Sequence, residues 1–387
     1  MQVTNVKVEV INWETPPWQA GTQQRFGGKT ELGIVTVETD AGIAGHSFLS
    51  RPGHHAKPLL DIAKPKVMGR NPQDIGAIWW DLWRANRSIH TSVMGAIDVA
   101  LWDINGKIAG QPIHRLLGTC KDSVPVYSST AFHESAEEYA EEAIRFKEMG
   151  WMAHKIHPHT DPAIDVGICQ AVREAVGDEM ILMLDSMWAY QYEDALRVGR
   201  AIEDLGFYWY EDPLVDEDIY NYVKLHQKLD IPIMSTEFAP GRFYGMAQWI
   251  TSYATDILRG DVAVTGGITP LVRLCHLAEG FNMKCEIHHG GNSLNNVANL
   301  HVIMAVPNCE FFEYFPSTGS LLYGLAEEID MTGGVVQAPT GAGLGYEIDW
   351  DLVKREHIAT LESGEPGVAP SSEWRGRRRR RQRSRRR

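Results

Sequence analysis

Residues 181–185 read ILMLD, 207–211 read FYWYE and 231–237 read IPIMSTE, three short apolar runs each closed by a carboxylate. Asp185, Glu211 and Glu237 therefore follow one another at intervals of 26 residues. ILRGD carries the pattern on to Asp261, KCEIH to His288 and FFE to Glu313, at intervals of 24, 27 and 25 residues. Upstream, AHKIH sets Lys155 and His157 at the same kind of boundary. Such an interval fits one strand, one helix and two loops, which predicts repeated βα units. Closed into a barrel, these units bring every strand C-terminal end to one mouth, where such barrels place their chemistry.

Eight strand candidates are read between residues 121 and 315: VPVYSS, AHKIH, ILMLDS, YWYED, IMSTEF, ILRGDV, CEIHH and FFEYF. Amphipathic stretches fill the gaps at 135–148, 162–176, 191–205, 217–228, 243–252, 268–280 and 294–306. The expectation is an α/β protein whose residues 121–315 form a modified TIM barrel, (β/α)7β. Residues 1–120 differ: two alternating stretches at 3–12 and 32–38 and a turn at Asp40-Ala41-Gly42 precede helical patterns, predicting an N-terminal α+β capping domain. Within it PPWQAGTQQRFGGKT (16–30) has no apolar period and reads as a loop, with Trp18 and Arg25 as candidate substrate contacts on a lid. The Gly-rich segment 316–372 is expected to return to the capping domain, and 373–387 to be an Arg-rich disordered tail.

Composition excludes several classes. Forty-four per cent apolar and 22% charged residues are ordinary for a globular protein. No apolar run reaches the roughly 18–20 residues of a membrane helix, and the N-terminus lacks a basic-then-apolar leader, so no membrane association is expected. Five cysteines without a CxxC pair suit reduced thiols in the cytoplasm. The net charge of −13 conceals ten arginines from Arg375 onward, leaving an acidic body unsuited to nucleic acid. The tail taken alone would suit RNA or another polyanion, which keeps a binding or regulatory protein as a remote alternative.

Asp185, Glu211 and Glu237 are candidate metal ligands. Three buried carboxylates repel one another, and a hard divalent cation such as Mg²⁺ relieves that repulsion. Lys155 and His157 lie two apart on one strand and so face the barrel interior together. Asp261 beside His288 would orient the imidazole and raise its pKa, giving a dyad for proton transfer, whereas His289 points away and reads as structural. Glu313, closed in by Phe residues, is expected to be held protonated as a hydrogen-bond donor. These catalytic candidates suit removal of an α-proton from a carboxylate substrate. The glycine run at 341–345 lacks the lysine and context of a phosphate loop.

The chain resembles the enolase superfamily, and within it the mandelate racemase subgroup. The resemblance rests on SVMGAIDVALWDINGKIAGQPIHRLLG (92–118), Lys155-Ile156-His157, the series Asp185, Glu211 (in YEDPL) and Glu237, the Asp261/His288 pair, GGIT (266–269) and APTGAGLGYEID (338–349). It implies one Mg²⁺ per subunit, a small carboxylate substrate, a homo-oligomer, and enediolate chemistry. Two departures stand out: His157 replaces the second lysine of the subgroup's Lys-x-Lys, and Met187 stands where an asparagine is usual. His157 is then a base, an acid or a substrate contact. The resemblance implies a dehydratase forming a 2-keto-3-deoxy acid from a sugar-derived acid, or alternatively a racemase or epimerase of a 2-hydroxy acid.

Overall fold

The computed structural model describes residues 1–20, 24–130, 132–290, 292–316 and 323–362, except for the side chains of 15–20 and 24–27. The Arg-rich segment 373–387 lies outside the described residues, as do the side chains of Trp18 and Arg25. Thirteen strands are described: β1 (Val3–Ala20), β2 (Gln24–Thr39), β3 (Ala44–Ser50), β4 (Ser123–Ser129), β5 (Ala153–Ile156), β6 (Ile181–Asp185), β7 (Trp209–Glu211), β8 (Ile233–Ser235), β9 (Ile257–Gly260), β10 (Lys284–Ile287), β11 (Phe312–Tyr314), β12 (Val335–Gln337) and β13 (His357–Leu361).

An antiparallel sheet in the order β13-β1-β2-β3 caps a parallel one ordered β10-β9-β8-β7-β6-β5-β4-β11. The α/β fold is the expected modified TIM barrel, (β/α)7β, with an N-terminal α+β cap. Its seven connecting helices are Ala136–Glu148, Pro162–Val176, Tyr192–Asp204, Ile219–His226, Met246–Thr251, Ile268–Gly280 and Ser293–Ala305. Their residue chemistry accounts for them. Ser135, Asp161 and Asn292 accept backbone N–H bonds at helix starts, and Pro162 occupies a first-turn position that needs no donor. The helix Tyr192–Asp204 buries Ala195, Val198, Gly199 and Ile202, one stripe at helical spacing, against the barrel.

Strand pairing leaves the sheet open between β10 and β11. A side chain spans that gap: the Glu286 carboxylate accepts from the backbone N–H of Glu310 at 2.8 Å and of Phe311 at 3.3 Å. Behind β11 the chain pairs β12 antiparallel to β4 and then returns to the cap, where β13 pairs with β1.

The segment 16–30 departs from expectation. Instead of a loop, β1 and β2 run on through it, with Trp18 opposite Phe26 and Gln19 opposite Arg25. The register shifts between Thr15 and Trp18, around Pro16 and Pro17. A bulge tolerates residues that lack a ladder N–H, so two prolines bend the hairpin without ending it.

The joint between cap and barrel is the helix Thr91–Ala109. A Cβ on Gly45 of β3 would lie 2.0 Å from Ala100 O, and one on Gly95 would lie 2.5 Å from Val262 O. Only glycine permits either approach. Ser47 Oγ donates to Ala96 O at 2.6 Å, and Asp98 Oδ2 accepts from Thr269 N at 2.9 Å. This helix thus presses directly on the turn that follows β9, the turn that carries Asp261.

Candidate active site

β6, β7 and β8 are adjacent parallel strands, with Asp185 directly opposite Glu211 in register. Glu237 follows two residues after β8. All three carboxylates are buried. The backbone around them is strained: Met187, Trp188, Asp212 and Thr236 hold φ of 46°, 63°, 42° and 92°, left-handed values rare outside glycine. Such strain recurs at functional sites, where the surrounding structure holds it in place.

Lys155, on β5, has no exposed side-chain surface and is enclosed by three carboxylates. Its Nζ lies 3.3 Å from Asp185 Oδ2, 3.0 Å from Glu211 Oε2 and 2.8 Å from Glu313 Oε1. Burial opposes its charge, but Glu211 and Glu313 outweigh burial and raise its pKa well above the ordinary lysine value. Lys155 is a fixed cation with all three N–H groups engaged.

Arg259, on β9, was not among the residues expected. Its Nε pairs with Glu211 Oε1 and its Nη2 with Glu313 Oε2, both at 2.7 Å. The sequence held one signal for it: Arg259 is two residues before Asp261, and alternation sends both side chains inward. The expectation that Glu313 is protonated is overturned here. Burial alone would raise its pKa, but Lys155 and Arg259 hold it well below the usual carboxylate range. Glu313 is an ionised acceptor, and it also takes a hydrogen bond from His289 N at 3.0 Å. The His289 ring packs 4.2 Å from that of Phe312, on the structural side as expected.

The two candidate histidines stand at opposite ends of the carboxylate row. His157 Nε2 lies 3.0 Å from Asp185 Oδ2, while its Nδ1 donates to the carbonyl of Thr130 at 3.0 Å. Because a carbonyl can only accept, the Thr130 contact fixes the proton on Nδ1 and leaves Nε2 as the nitrogen that exchanges one. His288 Nδ1 lies 3.1 Å from Asp261 Oδ2 and 3.4 Å from Glu237 Oε1. Burial lowers its pKa, but Glu237 and Asp261 overcome this and push it up to about 9. Asn299 ties the dyad together, accepting from Val262 N and donating to His288 O, each at 2.9 Å.

The charges can be balanced. Asp185, Glu211, Glu237, Asp261 and Glu313 face three cations, Lys155, Arg259 and protonated His288, so full ionisation leaves two negative charges in a buried space. Burial raises the pKa of Glu211 and brings that of Glu237 to about 7, and the neighbouring carboxylates add to each. Asp212, beside them, is pushed up by burial and by Asp216, Asp185 and Glu237. A divalent cation would match the excess, and an all-oxygen donor set suits a hard one. Among the described residues no ready-made cage of three such groups is present. Asp185 and Glu211 are drawn instead toward Lys155 and Arg259. Also among the described residues, no helix is long and apolar enough to cross a membrane.

Comparison with known proteins identifies the family. Residues 3–118 match the mandelate racemase/muconate lactonizing enzyme N-terminal domain, and residues 138–352 match the enolase C-terminal domain-like family. The chain is 30% identical to an L-talarate/galactarate dehydratase of Salmonella typhimurium, over 87% of this chain and 85% of the relative. It is 28% identical to a D-galactarolactone cycloisomerase of Agrobacterium fabrum, over 91% of this chain and 98% of that one. The crystal structure of a D-glucarate dehydratase from Agrobacterium tumefaciens complexed with magnesium superposes with a TM-score of 0.85 at 32% identity, covering 93% of this chain and 100% of that one. Fold and both domain matches agree, and the chain is an enzyme of the enolase superfamily, in its mandelate racemase/muconate lactonizing enzyme group.

Proposed function

We propose that this enzyme is a Mg²⁺-dependent dehydratase that converts a sugar-derived carboxylic acid to a 2-keto-3-deoxy acid. The observation that carries the reading is the placement of two histidines at the two ends of one carboxylate row, His157 on Asp185 and His288 on Glu237. Removing a C2 proton and discharging a C3 hydroxyl needs a base and an acid on either side of the substrate. The relatives that bear dehydratase names support the same chemistry.

Asp185, Glu211 and Glu237 would hold the cation, which when bound supplies Lewis-acid relief of the charge growing on the substrate carboxylate. His157 Nε2 takes the C2 proton, its other nitrogen being committed to Thr130. Lys155 keeps a permanent positive charge beside the developing enediolate, fixed before the reaction begins. His288, carrying its proton at neutral pH, gives it to the departing C3 hydroxyl. The C2–H electrons form the C2=C3 bond, the C3–O bond breaks and water leaves. The enol then takes a proton at C3 and becomes the 2-keto product.

The same pair of histidines supports a second reading, a racemase or epimerase moving one proton between the two faces of C2. Proton NMR in D₂O with Mg²⁺, across mono- and diacid sugars and simple 2-hydroxy acids, separates the two. Loss of water to a 2-keto-3-deoxy product is the expected result. Deuterium entering C2 with no water lost from any of these acids would replace it with the second reading.

A further inference from the structure

Arg259 divides its guanidinium between two carboxylates instead of gripping one. Nη2 donates to Glu313 Oε2 at 2.7 Å in an aligned hydrogen bond. Nε stands just as close to Glu211 Oε1, at 2.7 Å, but the two are not aligned for a hydrogen bond. Glu211 Oε1, Arg259 Nε and Arg259 Nη1 are all buried polar atoms that make none. The other oxygen of the same carboxylate is better served, since Glu211 Oε2 accepts from Lys155 Nζ at 3.0 Å. Oε2 is therefore held by a hydrogen bond and Oε1 by charge alone.

A buried acceptor without a hydrogen bond is costly, and a better partner at that oxygen would relieve the cost. Glu211 is also the middle member of the ligand row: Asp185 stands opposite it in register on β6, and Glu237 follows β8 on its other side. A hard cation drawn to these three carboxylates meets Arg259 already at Oε1. The guanidinium cannot settle that conflict by losing a proton, because it stays charged at any pH a protein tolerates. It can settle it by releasing one contact and keeping the other. Glu313, the partner that Nη2 holds, lies on β11, a strand that carries none of the three ligands.

We infer that Arg259 is a resident counter-cation of this centre, standing at Glu211 Oε1 and giving that oxygen up to a divalent cation while Nη2 stays on Glu313. The inference rests on the cation site proposed above and adds the residue that sets its affinity. Before the exchange, Arg259 holds together carboxylates that would otherwise repel one another. Afterwards its permanent charge opposes the second cation at the same carboxylate, with little solvent between to screen it. One side chain thus stabilises the cation-free protein and weakens cation binding. A residue that merely positioned Glu211 would strengthen binding instead, so the sign of the effect separates the two roles.

Calorimetric titration of the full chain with Mg²⁺ and with Mn²⁺, in the absence of substrate, reads the affinity without turnover. Arg259→Gln is expected to bind either cation at least about tenfold more tightly than the wild type, the low end of the coupling between close buried charges. Glu313→Gln leaves Glu211 as the one carboxylate that Arg259 pairs with, and should bind at least about tenfold more weakly. Saturating Mg²⁺ should also raise the Tm of Arg259→Gln by more than that of the wild type, by mass action on a tighter site. If Arg259→Gln does not fold, crystals of the wild type grown with Mn²⁺ answer the same question. In them Nε is expected to have left Glu211 Oε1 while Nη2 remains on Glu313. An affinity unchanged or lowered in Arg259→Gln, or an Nε–Oε1 contact that survives beside bound Mn²⁺, would overturn the inference and leave the cation site standing. No binding by the wild type or either variant would overturn the cation site itself, and the inference with it.

Discussion

Arg259 shows how much a single side chain can govern here. With no exposed side-chain surface, it joins Glu211 on β7 to Glu313 on β11 across the barrel interior. Removing one partner of a buried ion pair leaves the other charge uncompensated. Arg259→Met is therefore expected to cost about 3–5 kcal/mol of unfolding free energy in urea titrations. A loss below about 1 kcal/mol would mean that the pairs carry little of the barrel's stability. The two histidines are separable at the same scale. With His288→Asn, turnover should fall by about 10²–10⁴, the usual weight of one acid/base group, while C2 still exchanges with D₂O through His157. His157→Gln should abolish that exchange as well. If the exchange survives in His157→Gln and vanishes in His288→Asn, the two roles are reversed.

Among the elements, the helix Thr91–Ala109 sets the relation of cap to barrel. Gly95 lets it lie on the turn Val262–Gly266, whose first residue follows Asp261. Gly95→Ala places a Cβ where Val262 O already sits, so the helix must retreat. The expected cost is about 1–3 kcal/mol, with a lower kcat, since Asp261 moves with the turn. Gly167, in the exposed face of Pro162–Val176, is the control: a Cβ there meets nothing within 4 Å. Gly167→Ala should stabilise by about 0.5–1 kcal/mol. Thermal unfolding of the two variants, side by side, decides whether close approach or helix propensity governs each site. The hairpin at 16–30 carries a related lesson. Composition read it as a loop, yet a register shift at two prolines keeps β1 and β2 paired beyond it.

Across the whole molecule, buried titratable groups outside the active site pull stability in opposite directions with pH. Asp98, which ties the cap helix to Thr269 N, is pushed by burial up to about 7. A raised carboxyl contributes stability that is full below its unfolded value near 4 and is lost as pH climbs through about 7. Asp98→Asn should remove that loss. The variant then gains on the wild type between pH 5 and pH 8, with a slope of at most about 1.4 kcal/mol for each step of one in pH. His301 runs the other way. It accepts from His114 N and donates to Leu344 O, joining a barrel helix to both neighbouring segments, and burial lowers its pKa to about 3. Its contribution is full above pH 6.5 and fades as pH falls toward 3. Urea titrations of His301→Asn should therefore show less acid sensitivity between pH 6 and pH 4 than the wild type. Equal slopes for both proteins would remove His301 from the account of acid unfolding.

Local pattern determined the strands, the helices and the residues that reach the barrel mouth. An apolar run closed by a polar group is a local property of the chain, so Lys155, Asp185, Glu211, Glu237, Asp261 and His288 were legible at their places. The eight barrel strands were legible for the same reason, because alternation and helical stripes need no knowledge of partners. Which charge answers which was decided only by the tertiary structure. Lys155 meets carboxylates from β6, β7 and β11, and Arg259 bridges two of those same strands. The protonation of Glu313 turned on those distant cations, since the free energy of a buried charge depends on the groups within a few ångströms in space.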